Sequence, residues 1–200
     1  MKRNKKISVK EVKRAFVIAQ LVRLRKGKKR YLGSVSQKEF KQNLTKVKKQ
    51  VLKMKEPQLD RMIGNDYKKR LHAYNNSVWY LGKVQRNEVG VWRGAGGLPR
   101  AWTKGSLKET SKKVAHALEH NPSLIKKRAR HTIENILRTN VKQLQKEKYL
   151  FPIIFESGTG TNGRRGLKKL KGDIDDGNMR SIALTIKGTK TIQAYIGLQK

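Results

Sequence analysis

The chain contains no cysteine, which excludes a disulfide framework and any thiolate metal site. It also lacks an apolar run of about eighteen residues, so no segment reads as a transmembrane helix and no membrane partner is expected. The opening MKRNKKISVKEVKRAF is basic but continues as a charged amphipathic pattern, without the apolar stretch and cleavage site of a secretory signal. A cytoplasmic chain, or an assembly built inside a cell, is the expectation. Acidic residues are the scarcest of the common classes: 14 Asp plus Glu stand against 49 Lys plus Arg, a formal charge of +35 on 200 residues. Such a field repels itself and attracts polyanions, which makes nucleic acid the default neighbour. Apolar residues amount to 36%, a low share that is nonetheless periodic, enough for one domain, or one domain with an arm, to bury a core.

The charge is unevenly spread. Residues 1–70 carry a net +19, 71–150 a net +11, 151–171 a net +4, and 172–200 only +1. Within that last stretch three of the fourteen acids, Asp173, Asp175 and Asp176, fall within four positions. Helix signals run along the rest. Ser8 caps a pattern of Val9, Val12, Phe16, Ala19 and Val22 that predicts about five turns ending near Gly27. Ser36 and Glu39 form a capping box ahead of Phe40, Leu44, Val47, Val51 and Met54. A second box, Ser106 with Glu109, opens a helix that stops at Asn121. Asn121-Pro122 then starts a long one, 122–148, striped by Ile125, Ala129, Ile133, Ile136, Leu137, Val141 and Leu144. Residues 74–102 read as short strands and turns, and Phe151–Phe155 as a short buried strand. The segment 156–172 is rich in glycine and basic residues and reads as a loop that orders only against a partner. SIALTI (181–186) and TIQAYIG (191–197) alternate and predict a β-hairpin across 187–190. The fold class expected is α+β, with a long amphipathic helix on a small antiparallel sheet, preceded by a basic helical region. Three parts follow: a basic helical arm at 1–73, a strand- and turn-rich connector at 74–105, and an α+β domain at 106–200.

Few motifs carry chemistry. His116 and His120, with Glu119, spell the H-x-x-E-H pattern of inverted zinc peptidases. The helix ends directly after it and few third ligands follow, so surface histidines at a helix end are the preferred reading. Gly94-Ala95-Gly96-Gly97 lacks the Gly-Lys-Ser/Thr ending of a P-loop and reads as a turn. Asp175-Asp176 beside Gly177 reads as a turn pair rather than a catalytic one: either carboxylate accepts from backbone N–H groups two residues on, Gly177 supplies positive φ, and Arg180 pairs with an acid or a neighbouring subunit. No catalytic residue, metal or cofactor is expected. Lys26, Lys28, Lys29 and Arg30, with Arg164, Arg165, Lys168, Lys169 and Lys171, are the candidates for contacting phosphates or an acidic partner. Motifs for reading base sequence are missing. Trp79, Trp92 and Trp102 have the chemistry to stack on bases, but in an apolar strand-like stretch they are assigned to the core.

The order of the last part adds a resemblance. A long helix, the segment Asp176-Gly177-Asn178-Met179-Arg180-Ser181-Ile182, and a hairpin ending Ala194-Tyr195-Ile196-Gly197 resemble the tail-completion (neck) family of long-tailed bacteriophages. That family has a long helix, an Asp-Thr-Gly-x-Leu-Arg-x-Ser-Ile-like turn and a hairpin ending in Val-Gly. This chain departs from it with Asp176 for Thr, Met179 for Leu, no residue between Arg180 and Ser181, and a basic loop where Ala-Pro stands. The resemblance covers 122–200 and implies a non-enzymatic structural virion protein, assembled in the host cytoplasm. Its partners would be itself in a hexameric or dodecameric ring, the portal connector, and the tail-tube proteins. The basic arm would face acidic partners or the genome end, where DNA would be its contact. The alternative from the charge alone is a sequence-nonspecific nucleic-acid-binding protein, DNA-compacting or ribosome-associated.

Overall fold

The computed structural model describes residues 1–22, 36–139, 141–156 and 170–199. In chain order the elements are β1 (Lys2–Ile7), α1 (Val9–Leu21), α2 (Gln37–Leu52), α3 (Glu56–Asn75), β2 (Ser77–Gln85), β3 (Val89–Val91), α4 (Leu107–His120), α5 (Lys127–Thr139), α6 (Val141–Lys146), β4 (Ile153–Glu156), β5 (Gly172–Asp176), α7 (Asn178–Ile186) and β6 (Thr191–Gln199). The fold is α+β. One mixed six-stranded sheet has the order β1-β2-β6-β4-β5-β3. Its backbone is the nine-residue antiparallel ladder of β2 and β6, from Ser77 opposite Gln199 to Gln85 opposite Thr191. β4 runs parallel to β6 and antiparallel to β5, and β3 parallel to β5.

Three of the four helix starts legible in the sequence form as expected, because each supplies an acceptor for N–H groups that a helix leaves orphaned, while Asn121-Pro122 opens only a 3-10 turn. Ser8 Oγ accepts from the Glu11 N–H at 3.3 Å. Ser36 and Ser106 sit in reciprocal boxes with Glu39 and Glu109. The stripe Phe40, Leu44, Val47 and Val51 is buried, as are Ile125, Ala129, Ile133, Ile136 and Leu144.

Several expectations need correction. SIALTI is not the first strand of a hairpin: residues 178–186 form α7, and β6 pairs instead with β2 and β4. Short apolar runs do not distinguish strand from helix by periodicity, and here burial decides. Arg180, Ser181, Ile182, Ala183, Leu184 and Thr185 are all buried, with α7 packed on α4 and α5. A short helix enclosed on nearly every side is apolar on more than one face, so its pattern fits a strand as well as a helix. In place of one long helix over 122–148, a 3-10 turn at Pro122–Leu124 precedes α5 and a further turn at Lys148–Leu150 follows α6, residue 140 between the two helices lying outside the described residues. Helix α1 ends at Leu21, with Val22 extended (φ −66°, ψ 123°).

Nor do residues 1–73 behave as a separate arm. β1 pairs with β2, α1 packs on α2 and α3, and Val12, Phe16, Phe40 and Leu59 belong to the same core as Trp79, Ile133 and Tyr195. The boundaries at 73 and 105 fall inside this single packing unit. β1 and β5 were not anticipated, since KRNKKI and GDIDD are compositions depleted in strands, while α3 falls in the region expected to be helical.

Candidate nucleic-acid interface

The acidic cluster lies mostly in a strand. Asp173, Asp175 and Asp176 belong to β5, and only Gly177 forms the turn into α7, with φ 89°. Asp175 is compensated by a cation from a distant element and Asp176 by one on the adjoining helix. Arg70 Nε donates to Asp175 Oδ2 at 2.7 Å and the Tyr74 hydroxyl donates to the same oxygen at 2.9 Å. Arg70 and Asp175 are 6% and 1% exposed, and a charge this deep survives only when paired. Burial foremost, and then the Asp175 charge, raise the Tyr74 phenol far above its usual range. Arg180 Nη2 reaches Asp176 Oδ2 at 2.6 Å, as expected from its position, and Gln20 Nε2 donates to Asp176 Oδ1 at 3.0 Å. The four turn residues named from sequence are thus brought together, as a structural clasp between α1, α3, β5 and α7.

The basic candidates fare differently. Lys26, Lys28, Lys29, Arg30, Arg164, Arg165, Lys168 and Lys169 lie outside the described residues. Lys171 is described, and 62% of its side chain is exposed. Its charge is already engaged by Glu88 Oε1 at 2.8 Å. Partial burial pushes the Glu88 pKa up, but hydrogen bonds from Lys171, the Met1 amino group and the Gln85 N–H outweigh it and hold the carboxyl at about 2. His116 and His120 stand one turn apart on α4 with ring centroids 4.4 Å apart. Among the described residues no group of three His, Cys, Asp or Glu is arranged to hold a metal ion. No helix among them is long and apolar enough to cross a membrane.

What the structure adds is the division of labour between the charges. Glu11, Glu56, Asp60, Glu88, Glu147, Glu156, Asp175 and Asp176 are ion-paired, and Glu39 and Glu109 cap helices. Most of the acids therefore serve the fold, while Lys2, Lys5 and Lys6 on β1, Lys41, Lys46 and Lys49 on α2, Lys108, Lys112 and Lys113 on α4 and Lys126, Lys127 and Arg128 at the start of α5 stay exposed. None of these was singled out from the sequence, because solvent-facing lysines on amphipathic helices are unremarkable one at a time.

The tryptophans also divide. Trp79 is 1% exposed and donates its indole N–H to the Tyr74 carbonyl at 2.9 Å. Trp102 packs half-buried on the core. Trp92, directly after β3, is 37% exposed, against its assignment to the core. Its backbone N–H donates to Asn178 Oδ1 at 2.9 Å, and the Arg70 guanidinium lies over its ring at 5.8 Å from the centroid. No protein-family model, curated protein or solved structure matches the chain.

Proposed function

We propose that this chain is a non-enzymatic protein that binds nucleic acid through the phosphate backbone, without reading base sequence. The observation that carries this is the placement of charge: acids mostly engaged in ion pairs and helix caps, an excess of lysine left facing solvent on β1, α2, α4 and α5. Lysines spread over several elements suit a polyanion better than a shaped small ligand, because each neutralised phosphate releases condensed counterions. Binding of a labelled duplex and of a single strand, followed from low to high salt, tests it. The expected result is micromolar or tighter affinity at about 0.15 M salt, falling with a log–log slope of several phosphates. No binding at that salt would sink the reading.

A second reading is the phage neck subunit, non-enzymatic and ring-forming, located in the virion. It is favoured by the heptamer 176–182 and by β1, a terminal strand whose outer edge has no strand partner among the described residues, the kind of edge that can pair with a neighbour. The helix that 178–186 adopts, in place of a hairpin strand, leaves this reading on the short motif and the edge alone. Light scattering on nuclease-treated protein decides: a discrete ring-sized species persisting at about 1 M salt, where charge is screened within a few ångströms, supports the ring, and a monomer removes it.

A further inference from the structure

We infer that Trp92 is a base-stacking platform for an unpaired nucleic-acid strand, with the turn that follows it supplying phosphate contacts. This rests on the nucleic-acid reading above and narrows it from any polyanion to a single strand. Trp92 is one of only three large apolar side chains exposed among the described residues, with Met62 and Leu124. It is also the only aromatic of the three, and an exposed indole presents a π-face to any base.

The indole is held in place. Its backbone is tied to Asn178 and its ring is covered by the Arg70 guanidinium, which Asp175 fixes in turn. A stacking partner therefore meets a ring whose freedom is already lost, which lowers the entropic cost of binding. The chain then turns sharply through Gly94, Gly96 and Gly97, with φ of 72°, 61° and 85°. The turn is pinned by the Gly94 N–H donating to Thr103 Oγ1 at 2.9 Å. Two cationic stems border it. A Cβ on Gly94 would stand 3.6 Å from Arg100 Cγ, and one on Gly97 only 2.5 Å from Lys126 Cδ. Arg93 adjoins Trp92 in the chain and is exposed. An exposed indole followed by a turn bordered by Arg100 and Lys126, with Arg93 next to it in the chain, combines the two components of sequence-tolerant single-strand binding: a surface for the base and cations for the backbone.

The experiment uses the full chain and oligomers of dT and rU about a dozen nucleotides long, within the usual span of such sites. W92A is expected to weaken binding about tenfold or more at about 0.15 M salt, with the salt slope unchanged, because stacking involves no counterion. W92F retains a ring and should lose less. The R93A/R100A double variant should lower the slope by about 1.4, roughly 0.7 for each phosphate contact on a single strand. Indole fluorescence of the parent protein should be quenched by the oligomer, and that of W92F should not. The last comparison holds even if W92A folds poorly. Equal losses with both oligomers assign the site to either strand type, and loss with one alone assigns it to that one. W92A binding as tightly as the parent, or no quenching difference from W92F, overturns the proposal while leaving phosphate binding intact. Polyglutamate bound as tightly and weakened equally by W92A overturns it in favour of an acidic protein segment. If the parent itself fails to bind either oligomer, the broader reading falls first.

Discussion

At the scale of single residues, the costly features are charges placed where water cannot reach. Arg70 and Asp175 exemplify this, and their value lies in mutual satisfaction rather than in the attraction itself. Asp175→Ala leaves a guanidinium buried between Phe16, at 4.9 Å from its ring centroid, and Trp92. The expected loss is about 3–5 kcal/mol in urea unfolding, whereas replacing both partners by apolar residues of similar volume should recover much of it. Glu88 supplies a pH signature. Its folded pKa of about 2 lies below the ordinary 4.5, so the stability it contributes is complete above pH about 4.5 and is lost as pH falls toward 2. Glu88→Gln should flatten the acid limb of the stability curve in that window. An unchanged limb would mean that the Lys171 and amino-terminal contacts do not persist in solution.

At the scale of elements, the junction of β5 and α7 shows why local reading failed. Ile182, Leu184 and Ile186 alternate as a strand would, and Gly177 with positive φ suits a hairpin as readily as a helix start. The same residues also place Met179, Ile182, Ala183 and Ile186 on helical spacing. The choice falls to the helix because β6 finds its partners in β2 and β4, which lie far away in sequence and close in space. The glycine is needed either way. At φ 89° a side chain is strained, and a Cβ would stand 3.0 Å from both Arg180 Nη2 and Pro152 Cα. Gly177→Ala should therefore cost about 1–3 kcal/mol and loosen the Arg180–Asp176 pair, as read by urea unfolding and by the Arg180 side-chain NMR signals.

At the scale of the molecule, the field of +35 works against the compact state that the pairs and core maintain. Raising salt from about 0.01 M to about 0.15 M shortens the screening length roughly fourfold, so the melting temperature should rise by a few degrees in calorimetry, opposite to a fold held by exposed ion pairs. Over the same range affinity for nucleic acid should fall steeply. A melting temperature indifferent to salt would indicate that the exposed lysines are too dispersed to repel one another measurably, and would weaken the case for a concentrated phosphate-binding surface.

The sequence by itself determined the features that depend on neighbours a few positions apart or on totals. These are the caps at Ser8, Ser36 and Ser106, the apolar stripes of α2 and α5, the pairing of Arg180 with an adjacent acid, the α+β class and the net charge of +35. Tertiary structure alone decided what depends on distant partners. KRNKKI becomes a strand only because β2 offers it an edge, and GDIDD can occupy the sheet interior because Arg70 and Tyr74, about a hundred residues earlier, compensate Asp175. Trp92 is exposed while Trp79 is buried, though both sit in similar stretches, since exposure follows from where the sheet ends and not from the residues beside them. Local free energies bias each segment, and the long-range pairings that bury them settle the remainder.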